Sequence, residues 1–287
     1  MSVFSLKVLA MVSMVCDHLG WWLELEGIIG SGLCTAMRAF GRMAFPIFAF
    51  LIVNGYKHSR DRIKYLTRLM AFALISQIPY VLVFSVENYS AVLGAVSLNL
   101  PGALQIVLCI ALCILWYQFV RRDFTALLPG LALLIGLSTL KIGTVYILRP
   151  DMNVFYTLGF SLAAMCVLDK LRERSGKSYM LILALIIALT LIWNRADYGI
   201  DGIVLMLALW YFAASKTQQL LMLLIWSAAH YMPGLNPIYY FLCAAAALLP
   251  IYLYNGRLGK ALKTVFYLVY PLHLSVMAAV IMWQARL

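Results

Sequence analysis

Apolar residues run along this chain in long blocks rather than in the short alternations of a soluble domain. Blocks of roughly 17 to 24 residues recur, long enough for a helix to cross a hydrocarbon core of about 30 Å. They predict transmembrane helices near 4–25, 36–56, 66–86, 101–120, 125–147, 153–169, 178–194, 199–215, 218–233, 237–254 and 264–283. Separation is weakest around Pro233-Gly-Leu-Asn-Pro237, so the pattern allows ten helices or eleven. No repeat of fixed period and no soluble segment interrupts it. The expected fold is all-α: a polytopic transmembrane helix bundle, one integral-membrane domain over residues 1–287.

Composition agrees. The chain is 64% hydrophobic and 11% charged, against about 25% charged in a soluble domain. Its mean hydropathy is +0.93. The first block keeps Trp21 and Trp22 and lacks a small-residue cleavage site, so it reads as a retained helix rather than a signal peptide. The six cysteines lie mostly in apolar blocks, where Cys serves as a small hydrophobe; neither a disulfide framework nor a metal is expected.

Charge sets the expected orientation. Sixteen of the 22 basic residues fall at Lys7, in the loop of Lys57, Arg60, Arg62, Lys64 and Arg68, at Arg121–Arg122, at Lys170–Lys177, at Lys216 and at Arg257–Lys263. These groups occupy alternate loops, which places the N-terminus in the cytoplasm and the C-terminus outside. A basic inner face meeting anionic lipid accounts for the pI near 9.4, so no nucleic-acid partner is expected. The expected location is a plasma (inner) membrane, multi-pass, and bacterial.

Within this frame the informative residues are the ionisable ones inside apolar blocks. Asp17 and His18 interrupt the first block, and Arg38 and Arg42 the second. Such a residue at membrane depth costs roughly 2.5 kcal/mol or more and usually faces a bundle interior or a wet cavity. Histidine is also the side-chain type that titrates nearest neutral pH. Arg38 and Arg42, at i and i+4, repel unless an anion or carboxylate lies between them. Asp17, at a similar counted depth, is the natural partner of Arg42, and that pairing is also the plain structural explanation of both. Lys7 and His18 share a face of one helix about 16 Å apart, so a single helix offers a cation at its inner mouth and a base further out. The outer loops read Arg149-Pro-Asp151-Met-Asn153 and Asn194-Arg195-Ala-Asp197-Tyr-Gly-Ile-Asp201-Gly, either a polar vestibule or solvated helix ends.

Several motifs resemble the TraX-type family over nearly the whole chain. They are Cys16-Asp17-His18, the stretch from Arg38 to Tyr56, Leu74-Ile-Ser-Gln-Ile-Pro79, Asn153-Val-Phe-Tyr-Thr-Leu, Asp197-Tyr-Gly-Ile-Asp201-Gly and Tyr267-Leu-Val-Tyr-Pro-Leu-His273. The family's founding members are associated with conjugation and with N-terminal acetylation of pilin. The Lys7-x10-His18 spacing is similar, over a shorter stretch, to the first helix of acyltransferase-3 membrane enzymes, in which that His is held to be catalytic. Nothing in the sequence indicates a conjugation system, so the pilin substrate does not carry over.

The resemblance implies a membrane acyltransferase using cytosolic acetyl-CoA as donor. The acceptor would be an amine or hydroxyl of a peptide, glycan or lipid at the outer face, with membrane lipids as surroundings. His18 would take the acceptor's proton, with Asp17 setting its charge and orientation. Arg42, with His273 from the last helix, would stabilise the oxyanion. Lys7, Lys57, Arg60, Arg62 and Lys64 are candidates for the donor's phosphates. Arg38, badly placed for them if it lies in the outer half, is a further candidate for binding substrate. Asn153 and Asp201 are candidates on the outer side. The rival is a transporter or lipid flippase that uses Asp17, His18 and Arg42 as a proton relay or substrate site. The lack of inverted repeats and of paired glycine-broken helices counts against it.

Overall fold

The computed structural model describes residues 1–84, 152–172, 196–233, 237–260 and 263–284, with 114, 117–118, 120–122, 141–142 and 145–146 between them. Its helices are α1 (Val3–Leu25), α2 (Ser31–Gly41), α3 (Ala44–His58), α4 (Arg62–Phe84), α5 (Val154–Arg172), α6 (Gly199–Tyr211), α7 (Lys216–Tyr231), α8 (Ile238–Ala246), α9 (Leu248–Tyr252) and α10 (Lys263–Gln284). Four spans among the described residues are long and apolar enough to cross a membrane: Val3–Leu25, Ser31–His58, Arg62–Phe84 and Val265–Trp283. Gly199–Tyr211 and Ile238–Tyr252 are apolar but shorter. The chain is an all-α helical membrane protein.

Three spans differ from expectation. The second, expected as one helix over 36–56, starts at Ser31 and breaks between Gly41 and Ala44. Pro46 explains the break, because its ring has no N–H to give the carbonyl four residues back, that of Arg42, and clashes with it. Pro250 acts the same way on Ala246, and the expected 237–254 helix divides there into α8 and α9. The expected span 125–147 ends instead in an antiparallel ladder, β1 (Lys141–Ile142) with β2 (Val145–Tyr146), pairing Lys141 with Tyr146. The expected helices at 101–120 and 178–194 lie outside the described residues, apart from a few positions near 114–120, and so does part of the expected count of ten or eleven.

The chain divides into two compact units, Met1–His58 with Asp201–Val269, and Ser59–Ile200 with Tyr270–Leu287. In the first, α1 packs along α2 and α3, and α8 packs on α2 and α7. Small residues let α1 and α2 approach closely. A Cβ added to Gly20 would lie 2.7 Å from Met37 Cβ, and one added to Gly41 would lie 2.7 Å from Asp17 Cγ. Between them, the buried Ser13 hydroxyl donates to the Phe40 carbonyl at 2.7 Å.

One end of this unit gathers cations and helix ends. Lys57 Nζ donates to the Ala213 carbonyl at 2.8 Å, and Lys216 Nζ to those of Tyr252 and Tyr254 at 2.5 and 3.0 Å. The Met1 amino group bonds the Leu253 carbonyl, and Asn54 Nδ2 the Tyr254 hydroxyl at 2.9 Å. The start of α1, the ends of α3, α6 and α9 and the start of α7 therefore meet there. Within this unit Lys57 and Lys216 share one end, as the alternating-loop pattern requires.

The second unit is held by α4 against α5. Asn153, fully buried, accepts the Phe155 N–H at 3.0 Å through Oδ1 and so caps α5. Its Nδ2 donates to the Ala73 carbonyl and to Gln77 Oε1, each at 2.8 Å, tying that cap to α4.

Candidate functional site

The break in the second span builds an ionic cluster against α1. Arg42 closes α2, and its Nε donates back to the Arg38 carbonyl at 3.0 Å, filling one acceptor left open at the helix end. That bond aims the guanidinium at α1. Nη2 lies 2.5 Å from Asp17 Oδ1 and 2.6 Å from Oδ2. Arg38 Nε stands 3.6 Å from Asp17 Oδ1, too far for a hydrogen bond but within ion-pair range. Gly41 allows this contact, since any side chain there would displace the Asp17 carboxylate.

The Asp17 and Arg42 side chains are 18% and 15% exposed, and that of Arg38 is 37% exposed. Among the described residues, two guanidinium groups therefore face one carboxylate. On its other side Arg42 lies over the Tyr240 ring, 5.5 Å from the centroid, where the π face adds to its stabilisation. Guanidinium groups held in a low-dielectric setting stabilise an anion or a developing oxyanion.

The expected pairing of Asp17 with Arg42 is present. His18 is half-buried on α1, one residue on from Asp17 and thus about 100° around the helix. Both Asp17 oxygens bond Arg42, so the carboxylate serves the arginine. Lys7, also half-buried, stands over the Phe266 ring at 4.8 Å.

The expected phosphate-binding loop is divided in its roles. Lys57 is spent on the Ala213 carbonyl, and Arg62 pairs with Asp169 at 2.7 Å. Asp61 Oδ1 caps α4 by accepting the Lys64 N–H at 2.8 Å, which leaves the exposed Lys64 and Arg60 side chains projecting from the start of that helix. Asn153 lies in the second unit with its side chain engaged internally as described. His273 lies there too, half-buried, with its ring 5.5 Å from that of Tyr270, whereas Arg42 belongs to the first unit.

His230, which sequence reasoning passed over, has the clearest acid–base geometry of the described residues. Its Nδ1 lies 2.9 Å from Asp201 Oδ2. The backbone of Asp201 is held as well, its carbonyl accepting Trp226 Nε1–H at 2.8 Å. Trp226 stacks on the imidazole with centroids 5.0 Å apart and planes 9° apart, and Tyr231 meets it edge-on at 4.7 Å. The sequence signal was a lone His near the end of an apolar block facing an acidic loop. Which acid it meets was not readable, because 29 residues and a helical hairpin separate the two.

Comparison with known proteins identifies the family. The model of the TraX protein family matches residues 2–149 and 149–281. A probable fimbrial assembly protein FimC, serogroup H1, of Dichelobacter nodosus is 23% identical over 292 aligned positions, covering 97% of this chain and 95% of its own. No solved structure matches. The shorter likeness to acyltransferase-3 enzymes finds no support in these comparisons. With its family model matched almost from end to end, the chain belongs to the TraX family.

Proposed function

We propose that this chain is a membrane-embedded acyltransferase that moves an acetyl group from cytosolic acetyl-CoA to an amine or hydroxyl at the outer membrane face. The observation that carries the reading is the Asp17–Arg42–Arg38 cluster, a costly group of charges placed at a helix break beside His18. The acceptor's N–H or O–H attacks the thioester carbonyl and the C–S bond breaks. His18 takes the acceptor's proton, and the departing thiolate is protonated to free CoA. Arg42 and Arg38 stabilise the carbonyl oxygen as it gains charge, as an oxyanion hole does. The fimbrial assembly name of the Dichelobacter nodosus relative supports an acceptor among envelope proteins, with glycan and lipid acceptors as the other classes.

The test is transfer of labelled acetyl from acetyl-CoA by the purified protein, in detergent or vesicles, to peptide, sugar and lipid acceptors. Wild-type transfer that falls about 10²- to 10⁴-fold in His18→Ala is the expected result. Transfer unchanged in His18→Ala rejects the assigned base.

A transporter or flippase is the second reading, and one observation favours it. The spans Ser31–His58 and Ile238–Tyr252 are each broken within the apolar region, and broken helices build midplane substrate sites in transporters. Uptake or flipping of a labelled lipid in vesicles, with no acetyl transfer, decides for it.

A further inference from the structure

The start of α4 collects cations from two stretches of chain that lie far apart in sequence. Asp61 Oδ1 accepts the Lys64 N–H at 2.8 Å, and Oδ2 accepts from the Tyr117 hydroxyl, 56 residues on, at 3.4 Å. Arg121 Nη1 donates to the same hydroxyl at 3.3 Å, and its guanidinium lies over the Tyr117 ring, 5.7 Å from the centroid. A directed chain of donors therefore runs from Arg121 through Tyr117 to Asp61, each group polarising the next. It brings Arg121 to the turn that carries Arg60 and Lys64, and all three of these side chains are exposed.

Both carboxylate oxygens of Asp61 are engaged in holding this arrangement together. Among the described residues, no acid forms an ion pair with Arg60, Lys64 or Arg121. Like charges gathered at one place repel unless an anion comes between them, and a helix start adds partial positive charge of its own. Arginine carries its charge at any working pH, and its planar fork matches phosphate oxygens. Orientation of the chain needs only a count of cations in a loop. It does not need Arg121 tethered through a ring and a hydroxyl to the cap of another helix.

We propose that Arg60, Lys64 and Arg121 form a phosphate-binding platform, with Tyr117 and Asp61 as the positioning residues that hold Arg121 in it. Phosphate reaches such a platform as the 3′-phosphate and pyrophosphate of CoA or as the headgroup of an anionic lipid. Its assignment to CoA rests on the acyl-transfer reading, whereas the platform itself does not.

In the test, CoA is titrated by calorimetry into the intact protein in nanodiscs of phosphatidylcholine. Phosphatidylglycerol retained by the detergent-solubilised protein is measured by native mass spectrometry. Wild-type protein binds CoA, and Arg121→Gln weakens that binding about tenfold. Arg121→Lys, which keeps the charge without the fork, recovers part of it. Tyr117→Phe keeps the ring beneath Arg121, loses the hydroxyl and weakens binding less than Arg121→Gln does, at an unchanged melting temperature. Each difference shrinks as salt rises, because the cations are exposed. Phosphatidylglycerol retained by the wild type but not by Arg121→Gln, with no difference in CoA binding, upholds the platform and gives it to lipid. Equal CoA affinity and equal lipid retention in the wild type and Arg121→Gln overturn the proposal. CoA binding that depends on Arg121 in a protein with no acetyl transfer upholds the platform and rejects the acyltransferase.

Discussion

Arg42 Nη2 lies within hydrogen-bond distance of both carboxylate oxygens of Asp17, and that contact joins α1 to the break in the second span. The pair cannot be read as two independent residues. Removing one partner leaves a poorly hydrated charge, which costs about 3–5 kcal/mol where a pair is well buried, whereas removing both leaves only the more exposed Arg38. Asp17→Asn and Arg42→Gln should each lower the melting temperature of the detergent-solubilised protein. The double variant should lie closer to wild type than the sum of the two. Additive single effects would show that Asp17 and Arg42 do not interact in the membrane protein.

The same contact depends on a missing side chain. A Cβ at Gly41 would meet Asp17 Cβ, Cγ and Oδ1, and Cβ cannot withdraw without moving α1. Gly41→Ala should therefore destabilise by about 1–3 kcal/mol, as overpacking does, and disturb the ion pair. Gly32→Ala, in α2 with nothing near the added Cβ, should be neutral or slightly stabilising in the same melting assay.

The Asp17–Arg42 pairing was legible because residue counts from the loops put both at one depth, and an unpaired charge there is expensive. The break beside Arg42 was also written in the chain, since Pro46 lies four residues on, but long apolar blocks masked it. Sequence hydropathy registers length and polarity and is blind to a lost backbone hydrogen bond. The helix start at Ser31 was missed because Gly30-Ser31-Gly32 reads as a loop. His230–Asp201 was not legible, as it joins two helices through a hairpin whose register no local pattern sets. Asn153 was expected as a binding residue on the outer side; in the structure cap and cross-helix bonds occupy its side chain.

Those bonds make Asn153 a test of structure against substrate binding. Asn153→Ala removes the α5 cap and both Nδ2 bonds to α4, while Gln77 Oε1 keeps the backbone N–H of residue 153 at 3.1 Å, so the lost cap sets a cost of about 1 kcal/mol. The expected result is a lower melting temperature with acceptor KM unchanged in whatever protein stays folded. A raised KM at wild-type stability would return Asn153 to the binding residues.

Orientation follows from the loops that carry the cations. Glu26, exposed between α1 and α2, should face outward, and Arg60, exposed between α3 and α4, should face the cytoplasm. In intact cells, a membrane-impermeant thiol reagent should label Glu26→Cys and spare Arg60→Cys until the membrane is opened. The reverse pattern would invert the topology and remove the cytosolic route for the donor.

For acetyl-CoA as the proposed donor, the phosphates have a narrower set of candidate partners than the basic loop first suggests. Lys57 is bonded to the Ala213 carbonyl and Arg62 is paired with Asp169, so neutralising either disturbs an internal contact. Arg60 and Lys64 project exposed from the start of α4 and are the better candidates of the four to meet an arriving anion. Charge-assisted hydrogen bonds to phosphate are strong, and exposed ones weaken as salt screens them. Removing one such bond, worth about 1.5 kcal/mol or more, should weaken binding roughly tenfold. Arg60→Gln with Lys64→Gln should therefore raise the Kd for acetyl-CoA by one to two orders of magnitude, with about tenfold for each cation removed. The difference from wild type should shrink at high salt. Acceptor affinity should hold, because the acceptor is proposed to bind at the outer face and these cations lie in a loop assigned to the cytoplasm. Calorimetry at two salt concentrations separates the cases: an unchanged Kd at both would leave these two cations with orientation of the chain as their role.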